Sequence, residues 1–402
     1  MKLAHSALAA ALLLPSASAS ASALSLSLSL SLSLLGCGAS SGEKPIVVPP
    51  RASYDSWTLV QPEGAVCGNG SPYKFFVNYS ATSNNVVIAF EPGGACWDYE
   101  SCTGQGGIRG AANVNGLDDD HYGLAPFIVP YFQRELPENP ADDWNYVYVP
   151  YCTGDVHTGN AVKTYADPTG QNPDIEFHHR GYDNVQKVIA WMAGEFQSVP
   201  KLLVTGCSAG GVGALANYHF LREGLPGVER AYLLSDSGPI FPASIYSRPL
   251  HDKVRESWNL DSVLSSLPSV LATDDFGTIN TALSDLYPDD RLAVTFFRRD
   301  YNFSIYSYER FYDFPPKEEI MEMWWDDTQR LVTQFDMRDN LAYYIPYWRR
   351  LNDSHCTTVI TFAGSDIEEA DMDLGQFSAD LVDDSVPLTS YLESAQADED
   401  LE

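Results

Sequence analysis

Basic residues are scarce. The chain carries 24 lysines and arginines against 54 aspartates and glutamates, a formal net charge of −30. Such a surface repels a polyanion, which excludes nucleic acid as a partner class. Metal-type cysteine spacing is lacking as well. Cys37, Cys67, Cys96, Cys102, Cys152, Cys207 and Cys356 are irregularly placed and contain no C-x-x-C pair, so no zinc site is expected. Beyond the N-terminal segment no apolar run is long enough to span a bilayer. A disorder-type composition is absent too, since 45% of residues are hydrophobic and 12% aromatic. The 402 residues, less an export segment, suffice for one large α/β domain or two ordinary ones.

Residues 1–36 read as a signal peptide. Lys2 precedes an apolar stretch, and Ser-Leu alternation runs from Leu24 to Leu34. At the extreme N-terminus this is an h-region rather than a strand. It ends Leu34-Leu35-Gly36-Cys37, the pattern of a bacterial lipobox, in which the cysteine is lipidated. Residues 37–52 form a tether, 53–394 a catalytic domain, and 395–402 an acidic tail. With Cys37 assigned to export, six cysteines remain, an even number that predicts three disulfides in an oxidising compartment. The expected location is the periplasm or cell surface, held by the lipid, or else the secreted fraction.

The centre of the chain is Lys201–Ala216, KLLVTGCSAGGVGALA. A short apolar strand runs into Gly206-Cys207-Ser208-Ala209-Gly210, and small helix-forming residues follow. A serine on such a strand-to-helix turn needs nearly side-chain-free neighbours two positions away, because the backbone is strained and crowded there. The turn lifts the hydroxyl above the sheet and aims the next N–H groups at whatever it attacks. Upstream, Val86–Glu91 reads as a strand that ends in Glu91-Pro92-Gly93-Gly94-Ala95-Cys96. A Gly-Gly pair at a strand end offers unblocked N–H donors, as an oxyanion hole requires.

Further strands are expected at Tyr73–Tyr79, Tyr146–Val149, Ala231–Ser235, Leu292–Phe297 and Thr357–Phe362. Gly181–Phe196 is an amphipathic helix, with Val185, Val188, Ile189, Met192 and Phe196 on one face. Strands alternating with helices predict a mostly parallel central sheet flanked by helices, with ligands at the C-terminal strand ends. The aromatic stretch 305–350, with Trp324, Trp325, Tyr343, Tyr344, Tyr347 and Trp348, divides between core and the wall of an acyl or sugar pocket. The acidic segment from Asp366 is expected to dock on the domain up to about Leu392.

A serine hydroxyl attacks only if a base takes its proton, so a histidine oriented by a carboxylate is required. The order Ser, acid, His places the histidine downstream. His219 lies eleven residues along the serine's own helix, about 16 Å away at 1.5 Å per residue, and is excluded. His251 sits in a polar segment and reads as a surface residue. His355 lies late in the chain, as the order demands. For the acid, Asp236 and Asp300 both end strands. The second strand after the nucleophile is the usual position, which favours Asp300, with Asp236 the alternative.

With these residues in place the chain resembles the pectin acetylesterase family, which includes the animal carboxylesterase Notum. Cys67-Gly68-Asn69-Gly70-Ser71-Pro72 is similar to its C-x-D-G-S-P segment. Glu91-Pro92-Gly93-Gly94-Ala95-Cys96 is similar to E-G-G-G-W-C, and Pro150–Asp155 to P-Y-C-x-x-D. Gly206–Gly211 matches G-[CST]-S-A-G-G, and His355-Cys356 the final H-C. The resemblance implies an α/β-hydrolase-like fold, Ser208 as nucleophile, His355 as base and Asp300 as acid. It implies Gly93, Gly94 and Ala209 as oxyanion donors, with no metal or cofactor. It also implies disulfides Cys67–Cys152 and Cys96–Cys102. That leaves Cys207 and Cys356, which flank nucleophile and base and are expected to pair. Pro92 and Ala95 depart from the pattern in the oxyanion loop.

The expected function is an exported serine carboxylesterase that removes O-acyl groups, acetyl above all, from a polysaccharide such as pectin. The alternatives are a lipid or long-chain acyl esterase and a non-catalytic glycan-binding lipoprotein.

Overall fold

The computed structural model describes residues 53–105, 110–243 and 246–395. The expected signal peptide, Cys37, the tether and the acidic end beyond Ala395 lie outside the described residues.

Nine strands form one sheet. They are β1 Trp57–Val60, β2 Phe75–Asn78, β3 Val86–Phe90 and β4 Asn145–Val149. After the hairpin β5 Ala161–Tyr165 and β6 Ile175–His179 come β7 Lys201–Cys207, β8 Arg230–Asp236, β9 Arg291–Thr295, β10 Leu341–Ile345 and β11 Tyr391–Leu392. The spatial order is β1-β2-β4-β3-β7-β8-β9-β10-β11, with β5 and β6 paired separately. From β4 to β11 every pairing is parallel, and β1 and β2 join antiparallel at one edge. The central strands β3, β4 and β10 are buried along their whole length. Their unbroken apolar runs follow from layers on both faces.

One face packs under helices Gly181–Glu195, Ala209–Gly224 and Lys317–Phe335, with Val188, Met192, Leu221 and Trp324 against Val204 and Leu233. The other face packs Leu203, Tyr232 and Tyr344 under helix Leu374–Val382 and the turn at Tyr131–Phe132. The acidic segment thus docks through Leu374, Phe377 and Leu381, and β11 extends the sheet beside β10. Among the described residues no helix is long and apolar enough to cross a membrane.

All three disulfides form: Cys67–Cys152, Cys96–Cys102 and Cys207–Cys356. They fit an oxidising compartment.

Two expectations are corrected. Thr357–Phe362 is not a strand. The N–H groups of Thr357 and Thr358 go to the Asp236 carboxylate, at 2.9 and 2.7 Å, and Ile360 adopts a left-handed φ of 69°. The six aromatics singled out in 305–350 are also absent from the wall of the cavity beside Ser208. Trp324 belongs to helix Lys317–Phe335 and is wholly buried, and Tyr343 and Tyr344 belong to β10.

Candidate active site

Ser208 stands between β7 and helix Ala209–Gly224, with φ 56° and ψ −121°. That conformation is unfavourable for a non-glycine residue and marks the serine turn at the sheet's C-terminal edge. The crowding is concrete at Gly210. A Cβ there would lie 2.0 Å from the Phe90 carbonyl oxygen, so β3 approaches the turn as closely as backbone allows. The Ser208 N–H donates to the Asp236 carbonyl at 2.8 Å, which fixes the turn to β8. The Ala209 N–H begins the helix and has no acceptor among the described residues, as the first helical donors do not.

The Gly93-Gly94 turn leaves β3 beside it. Gly94 has φ +67°, and a Cβ would meet the Gly110 carbonyl and the Tyr306 hydroxyl at 2.3 Å. The Gly94 carbonyl accepts from Tyr151 Oη at 3.0 Å and that of Gly93 from Ala112 N–H at 2.8 Å. The Gly93 carbonyl shares its peptide plane with the Gly94 N–H, and the Gly94 carbonyl with the Ala95 N–H, so holding both carbonyls orients these two N–H groups. They have no acceptor among the described residues.

His355 and Asp300 meet. His355 Nδ1 lies 2.8 Å from Asp300 Oδ2, and Asp300 is completely buried. The other Asp300 oxygen accepts from the Phe303 N–H at 2.9 Å, capping helix Tyr301–Ser304. Burial works against a charged His355 ring, but the Asp300 carboxylate beside it overrides this, and the net shift is upward. His355 Nε2 has no hydrogen-bond partner among the described residues, and neither does Ser208 Oγ. The Cys207–Cys356 bridge ties the chain next to Ser208 to the chain next to His355, with its Cα atoms 5.7 Å apart. One sulfur precedes the serine and the other follows the histidine. A His355 ring nitrogen lies within 4.8 Å of both sulfurs.

Asp236 has a different environment. Its oxygens accept from Thr357 N–H, Thr358 N–H and Thr358 Oγ1, the last at 2.7 Å. Next to it, Ser237 Oγ accepts from the Cys356 N–H at 2.9 Å. Asp236 therefore anchors the loop that follows His355. His219 pairs with the Tyr287 hydroxyl on the far part of the helix, away from the serine. His251, read as a surface residue, is instead buried in a cavity wall, a further correction.

A sequence model described as Pectinacetylesterase matches residues 51–269, more than half of the chain. The chain belongs to the pectinacetylesterase family. Pectin acetylesterase 7 of Arabidopsis thaliana is 28% identical over 181 residues, 44% of this chain and 43% of that protein. The palmitoleoyl-protein carboxylesterase NOTUM of Mus musculus is 28% identical over 222 residues, 54% of this chain and 38% of that protein. The matches thus span less than half the length of these curated relatives. Among solved structures, the Wnt deacylase Notum from Drosophila aligns with a TM-score of 0.51 at 19% identity, over 81% of this chain and 92% of that one. The fold is α/β-hydrolase-like. The pectinacetylesterase match covers Gly93, Gly94, Ser208 and Ala209 and stops short of Asp300 and His355.

Gly94, Ser208 and Ala209 open into a cavity of about 170 Å³. Gly93, His355 and Asp300 do not line it. Its wall is almost wholly apolar, with Trp97, Phe220, Phe241, Trp258, Leu264 and Phe276 among the residues that form it. Trp258 is fixed by its indole N–H, which donates to the Cys96 carbonyl at 2.9 Å.

The sequence reading missed two supports of this pectinacetylesterase-type centre. The Glu91 carboxylate accepts from the Tyr151 N–H at 2.6 Å and pairs with His121 Nε2 at 2.8 Å, holding the base of the Gly93-Gly94 turn. The buried Asp155 carboxylate gathers Thr153 Oγ1, Gly159 N–H and Gly181 N–H, and burial pushes it up to about 7. The only signal was their adjacency to the motifs, Glu91 opening one and Asp155 closing another.

Proposed function

We propose that the protein is an exported serine carboxylesterase, carried by one catalytic domain over residues 53–394 and anchored by lipid at Cys37. Ser208 attacks the ester carbonyl while His355 Nε2 takes its proton, and Asp300 orients the ring and stabilises the imidazolium. The N–H groups of Gly94 and Ala209, joined by Gly93, hold the oxyanion. His355 protonates the leaving alcohol and then activates the water that releases the acyl-enzyme.

The observation that carries the choice of acyl group is the cavity beside Ser208. An apolar cavity of about 150 Å³ accepts a benzene ring, and this one is about 170 Å³. An acetyl methyl would leave most of it empty, whereas a medium or long acyl chain fills it. We therefore rank a fatty-acyl ester above acetylated polysaccharide. The names of the relatives include both kinds of acyl group, acetyl and palmitoleoyl.

The test is a series of p-nitrophenyl esters from acetate to octanoate, with wild type and Ser208→Ala. The reading predicts kcat/KM rising with chain length and no measurable turnover in the variant, which keeps the wild-type thermal unfolding. A preference for acetate would restore the polysaccharide reading. Near-normal turnover by Ser208→Ala, or no fluorophosphonate adduct at Ser208, would remove the enzyme.

A further inference from the structure

Seven histidines lie among the described residues, and six have a polar partner. His157 Nε2 meets the Glu91 carbonyl, and His179 meets the Thr153 carbonyl and the Tyr165 hydroxyl. His121, His178 and His355 face carboxylates, and His219 faces a tyrosine hydroxyl. His251 is the exception. Its side chain lines the cavity beside Ser208 and is 7% exposed. Nδ1 is buried without a hydrogen-bond partner, and Nε2 has none among the described residues.

The surroundings make this costly. His251 packs against the Phe276 ring, with centroids 5.2 Å apart, and Leu250 and Val254 line the cavity beside it. A buried polar atom left unpaired costs about 1–3 kcal/mol. A leucine would fill the position without that cost. One turn earlier on the same helix face is Ser247, whose carbonyl accepts the His251 N–H at 3.1 Å. Ser247 also lines the cavity, and its hydroxyl donates to the buried Asp327 at 2.7 Å. Ser247 and His251 therefore put a polar stripe into the wall from the helix Arg248–Ser257 and its cap, beside other polar wall residues such as Thr158, Asn217 and Ser307.

We infer that His251 is a specificity residue, and that the acyl chain this cavity takes carries a hydroxyl group that hydrogen-bonds the imidazole. The inference rests on the esterase reading above for the nature of the ligand. The match is chemical. A neutral imidazole offers a donor on one ring nitrogen and an acceptor on the other, and a hydroxyl, which both donates and accepts, can pair with either one. Burial keeps the ring neutral, lowering it to about 4. A carboxylate-ended chain is excluded, because a bare anion in an apolar cavity without a cation is strongly disfavoured. A plain alkyl chain fills the space but leaves both nitrogens unpaired.

The experiment compares p-nitrophenyl octanoate with p-nitrophenyl octanoates bearing a hydroxyl at successive carbons, in wild type, His251→Leu and His251→Gln. At the matching position, wild type should favour the hydroxylated ester by about 3- to 10-fold in kcat/KM, the value of one net hydrogen bond. His251→Leu should bring that ratio to one or below. His251→Gln, which keeps a donor and an acceptor, should recover part of it. Equal ratios in wild type and His251→Leu at every hydroxyl position would overturn the inference. A second readout separates it from the esterase reading. Calorimetric binding of octanoic and hydroxyoctanoic acids to Ser208→Ala needs no turnover. If wild type hydrolyses nothing, yet binds the hydroxy acid more tightly and His251→Leu loses that preference, the enzyme reading fails and the His251 assignment stands. No preference in binding overturns the assignment whatever the turnover.

Discussion

The Cys207–Cys356 bridge joins the residue before the nucleophile to the residue after the base, which separates two effects that usually travel together. It closes a span of 149 residues that contains neither partner of the other two bridges. Chain-entropy arithmetic for a loop of that length gives about 5 kcal/mol of stabilisation lost when both cysteines become serine. Cys67–Cys152 closes a span of 85 residues, and the same arithmetic gives about 4.5 kcal/mol. The two double variants should therefore shift a urea unfolding curve by similar amounts. Their catalysis should differ. Without Cys207–Cys356 the His355 loop keeps only hydrogen bonds, among them those to Asp236, Ser237, Asp300 and Thr295, and an error of about 1 Å between serine and base costs on the order of 100-fold. At a temperature where both variants are folded by circular dichroism, Cys207→Ser/Cys356→Ser should lose 10- to 100-fold in kcat, about that range by the same reasoning. Cys67→Ser/Cys152→Ser should retain kcat within a few-fold. Equal losses in the two variants, or none in either, would refute the argument that the first bridge acts on geometry rather than stability alone.

The two aspartates should respond differently. Asp300→Asn should lower kcat by about 10⁴-fold, since it removes the charge behind the base, with a modest change in unfolding. Asp236→Asn, which loses acceptor strength toward Thr357 and Thr358, should lower unfolding stability by about 1–3 kcal/mol and lower activity through the loop. Activity should fall as pH drops through the His355 value, which lies above the ordinary 6.5 because Asp300 outweighs burial. In Asp300→Asn the acid limb of any residual activity should move to lower pH. Stability has the opposite sign at His355, whose contribution is present below 6.5 and lost as pH rises through the raised value. His157, His179 and His251 are each lowered to about 4 by burial, so they withdraw stability as pH falls from 6.5 toward 4. Chemical denaturation at successive pH values measures that balance. Gly94→Ala, whose Cβ would lie 2.3 Å from the Gly110 carbonyl, should displace the oxyanion donors and cost about 10²–10³ in kcat.

The parallel sheet was legible because its inner strands are short apolar runs, such as LAVT and AYLL, that end in polar or glycine residues. The serine turn was legible because sterics restrict what can stand at Gly206 and Gly210. Local pattern misled at Thr357–Phe362, whose β-branched residues suit a strand while a buried carboxylate 121 residues before Thr357 claims the N–H groups of Thr357 and Thr358. Strands β5 and β6 escaped notice because AVKTY and IEFHH carry charge and face each other as an isolated hairpin. The cavity was invisible for another reason. Its wall gathers residues from Gly94 to Ser307, and no one-dimensional period links them. His251 read as a surface residue because its neighbours Arg248, Asp252 and Lys253 are polar, although Leu250 and Val254 put an apolar face on the same helix.

Much of the cavity wall is the stretch between β8 and β9, which supplies neither the serine, the aspartate nor the histidine proposed to react. The family match ends within that stretch, at residue 269. The parts that would make and break the ester bond are tied to strand ends and a disulfide, where few substitutions are tolerated. Half of the wall that would measure the acyl chain comes from this one segment, which joins those parts only at its two ends. A lineage with this layout can change its diet by remodelling one segment.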